Sequence, residues 1–357
     1  WHRTGVKTDI EFYELRYSGK AAAVLRGFRA LYLGVFFNTV VTALMILGAI
    51  KIGVVMFDLS PLVIMAVAGL VAVIYSALGG MRGIVIADLF QFVLVLAGAV
   101  VAAVYALRLP QVHGFSSLVS HPAIVGRLSF LPDLNNTDAL VSVFIIPVAI
   151  QWWNVWYPGS EPGGGGYIVQ RMLSAKNEKH SVGASLLFNA VHYGLRPWPW
   201  YIVALCSLLV YPDLESLRAA FPHVDARVMG DDLAYPAMLT FLPPGMMGFV
   251  VASLLGALLS TFAAHLNWGS SYIVNDFYKR FVNPAASERQ LVFAGRVSTF
   301  VLMVLACVLA PFLESAKTAF DLVLQIGAGT GLLFLLRWFW WRINAYSEIT
   351  AMVVSFL

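Results

Sequence analysis

Six polar side chains stand in an otherwise apolar stretch, residues 245–281: Ser260, Thr261, His265, Asn267, Ser270 and Ser271. The stretch reads GMMGFVVASLLGALLSTFAAHLNWGSSYIVNDFYKRF and is long enough to cross a bilayer. Lipid offers hydroxyls and amides no partners, so these groups must face a protein interior, a cavity or a bound ion. Sodium takes five or six hard oxygens at about 2.4 Å, by extension from other hard cations. The carbonyl of Ala257 and the hydroxyls of Ser260 and Thr261 have the spacing to supply three. The same hydroxyls can instead bond back to helix carbonyls. Asp88 lies one turn into another apolar run, near its cytoplasmic side. There it either guides a cation along its inward path or favours a helix N-terminus.

His192 and Arg196 are four residues apart, so both can lie on one helix face. An arginine near mid-bilayer costs ~2.5–3.5 kcal/mol on insertion scales and needs a partner or water. If both face a cavity, they point to an anionic or strongly hydrogen-bonding solute. The alternative is a structural Arg196 paired with helix ends near Pro197 and Pro199. The seven histidines are scattered, with no pair at metal-ligand spacing and no nucleophile elbow, so enzyme chemistry finds no support.

The elements that must position these groups are membrane helices. The chain is 60% hydrophobic and 12% charged, with a mean hydropathy of +0.79. Apolar runs predict spans near 31–50, 61–79, 84–107, 140–157, 185–211, 245–275, 291–312 and 318–338, with a ninth starting near 346. Alternation of period two is absent, which argues against a β-barrel. Residues 1–30 read as a cytoplasmic segment, and 108–139 and 212–236 as extracytoplasmic loops. Of the Lys and Arg residues, only Lys51, Arg108, Arg127, Arg218, Arg227 and Lys317 fall on the outer side, and Arg196 falls inside a span. The net charge of +4 is therefore topology, the positive-inside pattern, and not a nucleic-acid footprint. Cys206 and Cys307 read as small hydrophobes. Residues 1–357 read as one multi-pass transmembrane domain, a fragment of a longer protein, in the plasma (cell inner) membrane.

Residues 158–166, PGSEPGGGG, interrupt a helical region just after Gln151-Trp152-Trp153-Asn154-Val155-Trp156-Tyr157. Transporters place solutes beside such breaks, because unwound backbone offers free hydrogen-bonding groups. A plain loop leading to a cytoplasmic amphipathic segment is the other reading.

Several stretches together resemble the sodium:solute symporter family. EFYELRYSGKAAAVLRGFRALY is similar to the segment before that family's third core helix. YSALGGMRGIVIADLFQFVLVLAG is similar to its paired fourth and fifth helices, joined at a Gly-Gly turn. YIVQRMLSAKNEKHS resembles the signature after its sixth, and LLSTFAAHLNWGSSYIVNDFYKRF its eighth. The resemblance implies an all-α, LeuT-like fold of two inverted halves, of which this chain supplies core helices three to ten. It implies sodium bound at Ala257, Ser260 and Thr261, with Asp88 on the sodium path. It places Asn154, Tyr157, His192 and Gln325 at solute-contacting positions. The function it implies is sodium-coupled import of a small polar solute by alternating access. The expected partners are sodium, that solute and the lipid bilayer, with no nucleic acid and no obligate protein partner. A sensory membrane domain and an uncoupled ion channel are the alternatives.

Overall fold

The computed structural model describes residues 1–129, 131–146, 148–149, 166–226, 228–313 and 331–355, with the backbone alone at 77–82, 167, 331, 335 and 355. These residues are helical, with no strand among them. The elements that matter for the site are α1 (Phe12–Arg16), α2 (Gly19–Phe57), α3 (Pro61–Leu107), α4 (Gly166–Leu173), α5 (Glu178–Val210), α6 (Pro244–Val282), α7 (Glu288–Phe312), α8 (Gly331–Phe339) and α9 (Ala345–Ser355). Among the described residues, α2, the 83–107 part of α3, α6 and α7 are each long and apolar enough to cross a membrane. Helix α5 qualifies only together with Leu214–Ala220, from which it is bent by 85°. Half of the expected span 140–157 and most of 318–338 lie outside the described residues.

The expected spans 61–79 and 84–107 are joined in one helix, α3, whose backbone stays helical across Gly79–Gly80. It does not run straight. Tyr75 stands beside Asp88 and Gln91, whereas a straight helix would hold those positions about 20 Å or more apart. The chain thus doubles back as the glycine pair suggested, but without leaving helical geometry. The expected cytoplasmic segment 1–30 already holds the start of α2. Residues 19–30 are its first turns, and Arg26 and Arg29 are buried there.

Three apolar clusters make up the core. One joins Ala102 and Ala106 of α3, Val203 and Cys206 of α5, and Val250 of α6. A second joins Ile46 and Ile50, Ala72, Phe262 and Leu266, and Leu302 and Met303. The third gathers Tyr13, Tyr17, Leu25, Leu33, Phe37, Trp268 and Tyr272. Side chains such as Leu89, Phe90 and Val93 point outward instead and are exposed, as a lipid-facing surface requires.

Helices α2 and α6 cross at Gly34 and Gly269. A Cβ on Gly269 would lie 2.7 Å from the Gly34 carbonyl oxygen, so only glycine allows this approach. Gly166, which ends the glycine run, is held as tightly: its Cβ would lie 2.3 Å from the Tyr272 hydroxyl.

Residues 1–18 lie against the starts of α2 and α5 and the end of α6. Arg3 pairs with Glu178 at 2.5 Å, and Tyr17 donates to Glu348 at 2.5 Å. Arg26 joins Asp276 at 2.7 Å and Glu14 at 2.6 Å, and Glu14 also pairs with Arg280 at 2.9 Å. Burial pushes the Glu14 carboxyl up, but its hydrogen bonds and charge contacts with Arg280 and Arg26 outweigh that and leave it below the usual glutamate value. A carboxyl lowered on folding contributes stability that is complete above the unfolded value, near 4.3 in model peptides, and is lost as pH falls through the native one. The melting temperature of the wild-type protein is therefore expected to drop more steeply than that of Glu14→Gln as pH falls below about 5. Parallel acid limbs would remove Glu14 from this account.

Candidate functional site

The site is built where α6 runs beside the returning half of α3. Ser260, on α6, donates to Asp88 Oδ1 at 2.5 Å. One residue on, Thr261 donates to the Ala257 carbonyl at 2.7 Å. The Ala257 carbonyl, two hydroxyls and one carboxylate thus come from two neighbouring turns and the facing helix. Asp88 keeps a quarter of its side-chain surface open. The expected sodium ligands Ala257, Ser260 and Thr261 are brought together with Asp88, which stands beside them. Thr261 also does what the plain alternative foresaw, bonding back to its own helix. Both hydroxyls can turn to present lone pairs to a cation, since a hydroxyl donates or accepts as its rotor dictates.

Arg171 on α4 completes this group. Its Nη2 is 3.9 Å from Asp88 Oδ2, and its Nη1 donates to Gln170 Oε1 at 2.9 Å. Gln170 in turn donates to Asn267 of α6 at 3.2 Å. Sequence reasoning noted Gln170 and Arg171 as part of a signature but assigned them no role. The available signal was a Gln-Arg pair at the foot of a broken helix, facing a span rich in hydroxyls.

Beside it lies a cavity of 510 Å³. Its polar lining is Gln170, Ser174, Asn267, Ser270, Ser271 and Asn275, with Lys7 as its cation. The polar residues of α6 are thereby accounted for. Ser260 and Thr261 meet Asp88 and Ala257, and Asn267, Ser270 and Ser271 face the cavity. His265 is fully buried instead, donating from Nδ1 to Asn38 Oδ1 at 3.0 Å across the α2–α6 crossing.

His192 and Arg196 do share a face of α5. Arg196 Nη1 donates to His192 Nδ1 at 3.1 Å, which requires that nitrogen of the imidazole to be unprotonated. The guanidinium also sits over Trp200, 5.6 Å from the ring centroid. This segment, Ala190–Leu195, is wound as a π-helix, a widening that is common where helices carry function. Both side chains are half-buried. Among the described residues no carboxylate pairs with Arg196. The three other expected solute-contacting residues, Asn154, Tyr157 and Gln325, lie outside the described residues, as does the PGSEPGGG part of the break.

The sodium:solute symporter family model matches residues 1–355. The sodium/glucose cotransporter of Vibrio parahaemolyticus is 26% identical over 98% of this chain and 65% of its own length. The sodium/myo-inositol cotransporter 2 of Mus musculus is 26% identical over 99% of this chain and 54% of its own. The chain thus spans between half and two thirds of the length of these curated relatives. A solved sodium-coupled sialic acid symporter, substrate-bound and outward-open, superposes with a TM-score of 0.73 at 20% identity, covering 99% of this chain and 70% of that one. That likeness concerns the fold, and it bears out the expected all-α, LeuT-like bundle of a multi-pass membrane protein.

Proposed function

This chain belongs to the sodium:solute symporter family, and from that we propose that it is the core of a sodium-driven carrier, not an enzyme, in the plasma membrane. Sodium is the driving cargo. It is held by the Ala257 carbonyl, Ser260 Oγ and Thr261 Oγ1, with Asp88 supplying the negative charge. The observation that carries this reading is the Ser260–Asp88 hydrogen bond at 2.5 Å. It joins a neutral oxygen ligand set on α6 to a carboxylate on α3, within the apolar interior. Occupancy by sodium then ties these two helices together. That is what a coupling ion must do to favour one conformation over another.

The solute binds beside α5, at His192 and Arg196, with Asn154, Tyr157 and Gln325 as further contacts by family resemblance. The relatives are named for glucose and myo-inositol, both neutral polyols, and the structural neighbour for an acid. Arg196 sides with the acid. A half-buried guanidinium that rests on a neutral imidazole and an indole face still has N–H donors for a carboxylate, and arginine engages carboxylates with two parallel bonds.

The test is a thermal-shift screen of the full-length protein, in sodium and in choline, with sugar acids and neutral sugars as probes. Sugar acids are expected to raise the melting temperature in sodium only, by mass action on the folded state. Arg196→Gln is expected to weaken that response about tenfold or more while leaving the sodium shift itself intact. Equal responses in choline would remove sodium coupling. An equal preference for neutral sugars would remove the acid assignment and leave the carrier reading standing.

A further inference from the structure

We propose that Arg171 is a tethered counter-cation that competes with sodium for Asp88, occupying the carboxylate whenever the sodium position is empty. The inference rests on the sodium reading of Ala257, Ser260 and Thr261 given above.

The geometry divides the two carboxylate oxygens. Ser260 engages Oδ1 at 2.5 Å, while Oδ2 faces Arg171 Nη2 at 3.9 Å. The guanidinium is not a free surface group. Its side chain is 22% exposed, and Gln170, itself bonded to Asn267 of α6, holds its other nitrogen at 2.9 Å. It is aimed at Asp88 and stops one short movement from a close pair.

Charge then dictates the competition. The Ala257 carbonyl and the two hydroxyls are neutral, so a sodium ion among them draws on Asp88 for its counter-charge. Two unit charges of the same sign about 4 Å apart repel by several kcal/mol in a medium of low effective dielectric, before relaxation. Sodium and Arg171 therefore do not hold Asp88 together. When sodium leaves, the carboxylate, about three quarters of it covered, would lose its counter-charge, which is costly. Arg171 offsets that cost by closing the remaining gap.

The arrangement also says where the exchange is felt. Arg171 belongs to α4, an eight-residue helix that, with Ser174 just past its end, forms one wall of the 510 Å³ cavity through Gln170 and Leu173. Drawing Arg171 toward Asp88, or releasing it, moves that wall relative to Asn267 and Ser271 on α6. Sodium occupancy is thereby linked to the width of this cavity by a defined side chain.

The experiment uses the full-length protein and sodium alone as the probe, titrated against choline at constant ionic strength with melting temperature as the readout. In Arg171→Gln, the sodium concentration giving half the maximal shift is expected to fall about tenfold, equivalent to the removal of about 1.4 kcal/mol of competition. The sodium-free melting temperature is expected to fall as well, while the value at saturating sodium stays at wild type. Arg171→Lys, which keeps the charge, is expected to stay close to wild type on both measures. In an Asp88→Asn background, Arg171→Gln is expected to add no change in sodium-free stability. A sodium requirement that rises or stays constant in Arg171→Gln overturns the proposal, as does an unchanged sodium-free melting temperature. Failure of Arg171→Gln to fold in sodium and choline alike would make Arg171 a structural residue and overturn it too. If the wild-type protein shows no sodium shift, the sodium site itself falls, a result distinguishable from every outcome above.

Discussion

Replacing Ser260 and Thr261 together by alanine is expected to raise the sodium concentration needed for half-maximal solute uptake by about 100-fold, or to abolish sodium dependence over the usable range. Two of the three proposed α6 oxygens vanish. Asp88 loses its 2.5 Å donor on the same side. A hydrogen bond to a charged group is worth about 1.5–3 kcal/mol, and leaving a carboxylate short of one costs a similar amount. Both losses favour pairing with Arg171, 3.9 Å away, over any bound cation. The fold should survive, because each hydroxyl is only half-buried and alanine suits a helix interior. Uptake into proteoliposomes across a sodium series, with the choline melting temperature as a control for folding, is the measurement. Unchanged sodium dependence in a folded double variant would move the ion away from these residues. A partial effect confined to Ser260→Ala would place the burden on the link to Asp88 and leave Thr261 as a helix residue that bonds its own carbonyl.

A second large effect belongs to the helix crossing. Gly269→Ala is expected to destabilise the protein by about 1–3 kcal/mol, and Gly269→Val by more, as overpacking of a close contact does. The added methyl meets the Gly34 carbonyl oxygen at 2.7 Å, and it also lies 3.1 Å from the Asn38 side chain. The first of these is backbone, which cannot rotate away. Helices α2 and α6 must separate, which strains the His265–Asn38 bond of 3.0 Å and the edge contact of Phe37 with Trp268, whose ring centroids are 6.1 Å apart. Gly48→Ala, on the same α2, meets nothing within 4 Å, so alanine there should be neutral or slightly stabilising. Melting temperatures of both variants in one detergent decide the matter. If the two glycines behave alike, the crossing is looser than its geometry implies.

These two effects differ in kind. The first removes proposed ligands, at positions to which the family resemblance pointed. The second breaks a contact that hydropathy does not reveal. Gly269 is one of the chain's 29 glycines and carries no mark in the sequence that separates it from Gly48.

The sequence by itself determined what is local along a helix. Apolar length and the scarcity of charge set the class, an all-α membrane bundle, because hydrocarbon admits only segments that satisfy their own backbone. Helical spacing placed His192 under Arg196, and they do bond. The polar run of α6 announced that one helix faces something other than lipid. Only the tertiary structure decided what that something is. It set Asp88 against Ser260, 172 positions apart, brought Arg171 to the same carboxylate, and sent His265 to Asn38 instead of to the cavity. It also folded α3 back on itself, which brings Tyr75 near Asp88. The reason is physical. Periodicity reports which face of a helix is apolar. The partner met by its polar face depends on how helices rotate, tilt and approach, and that is decided by contacts such as Gly34 against Gly269, between residues far apart in the chain.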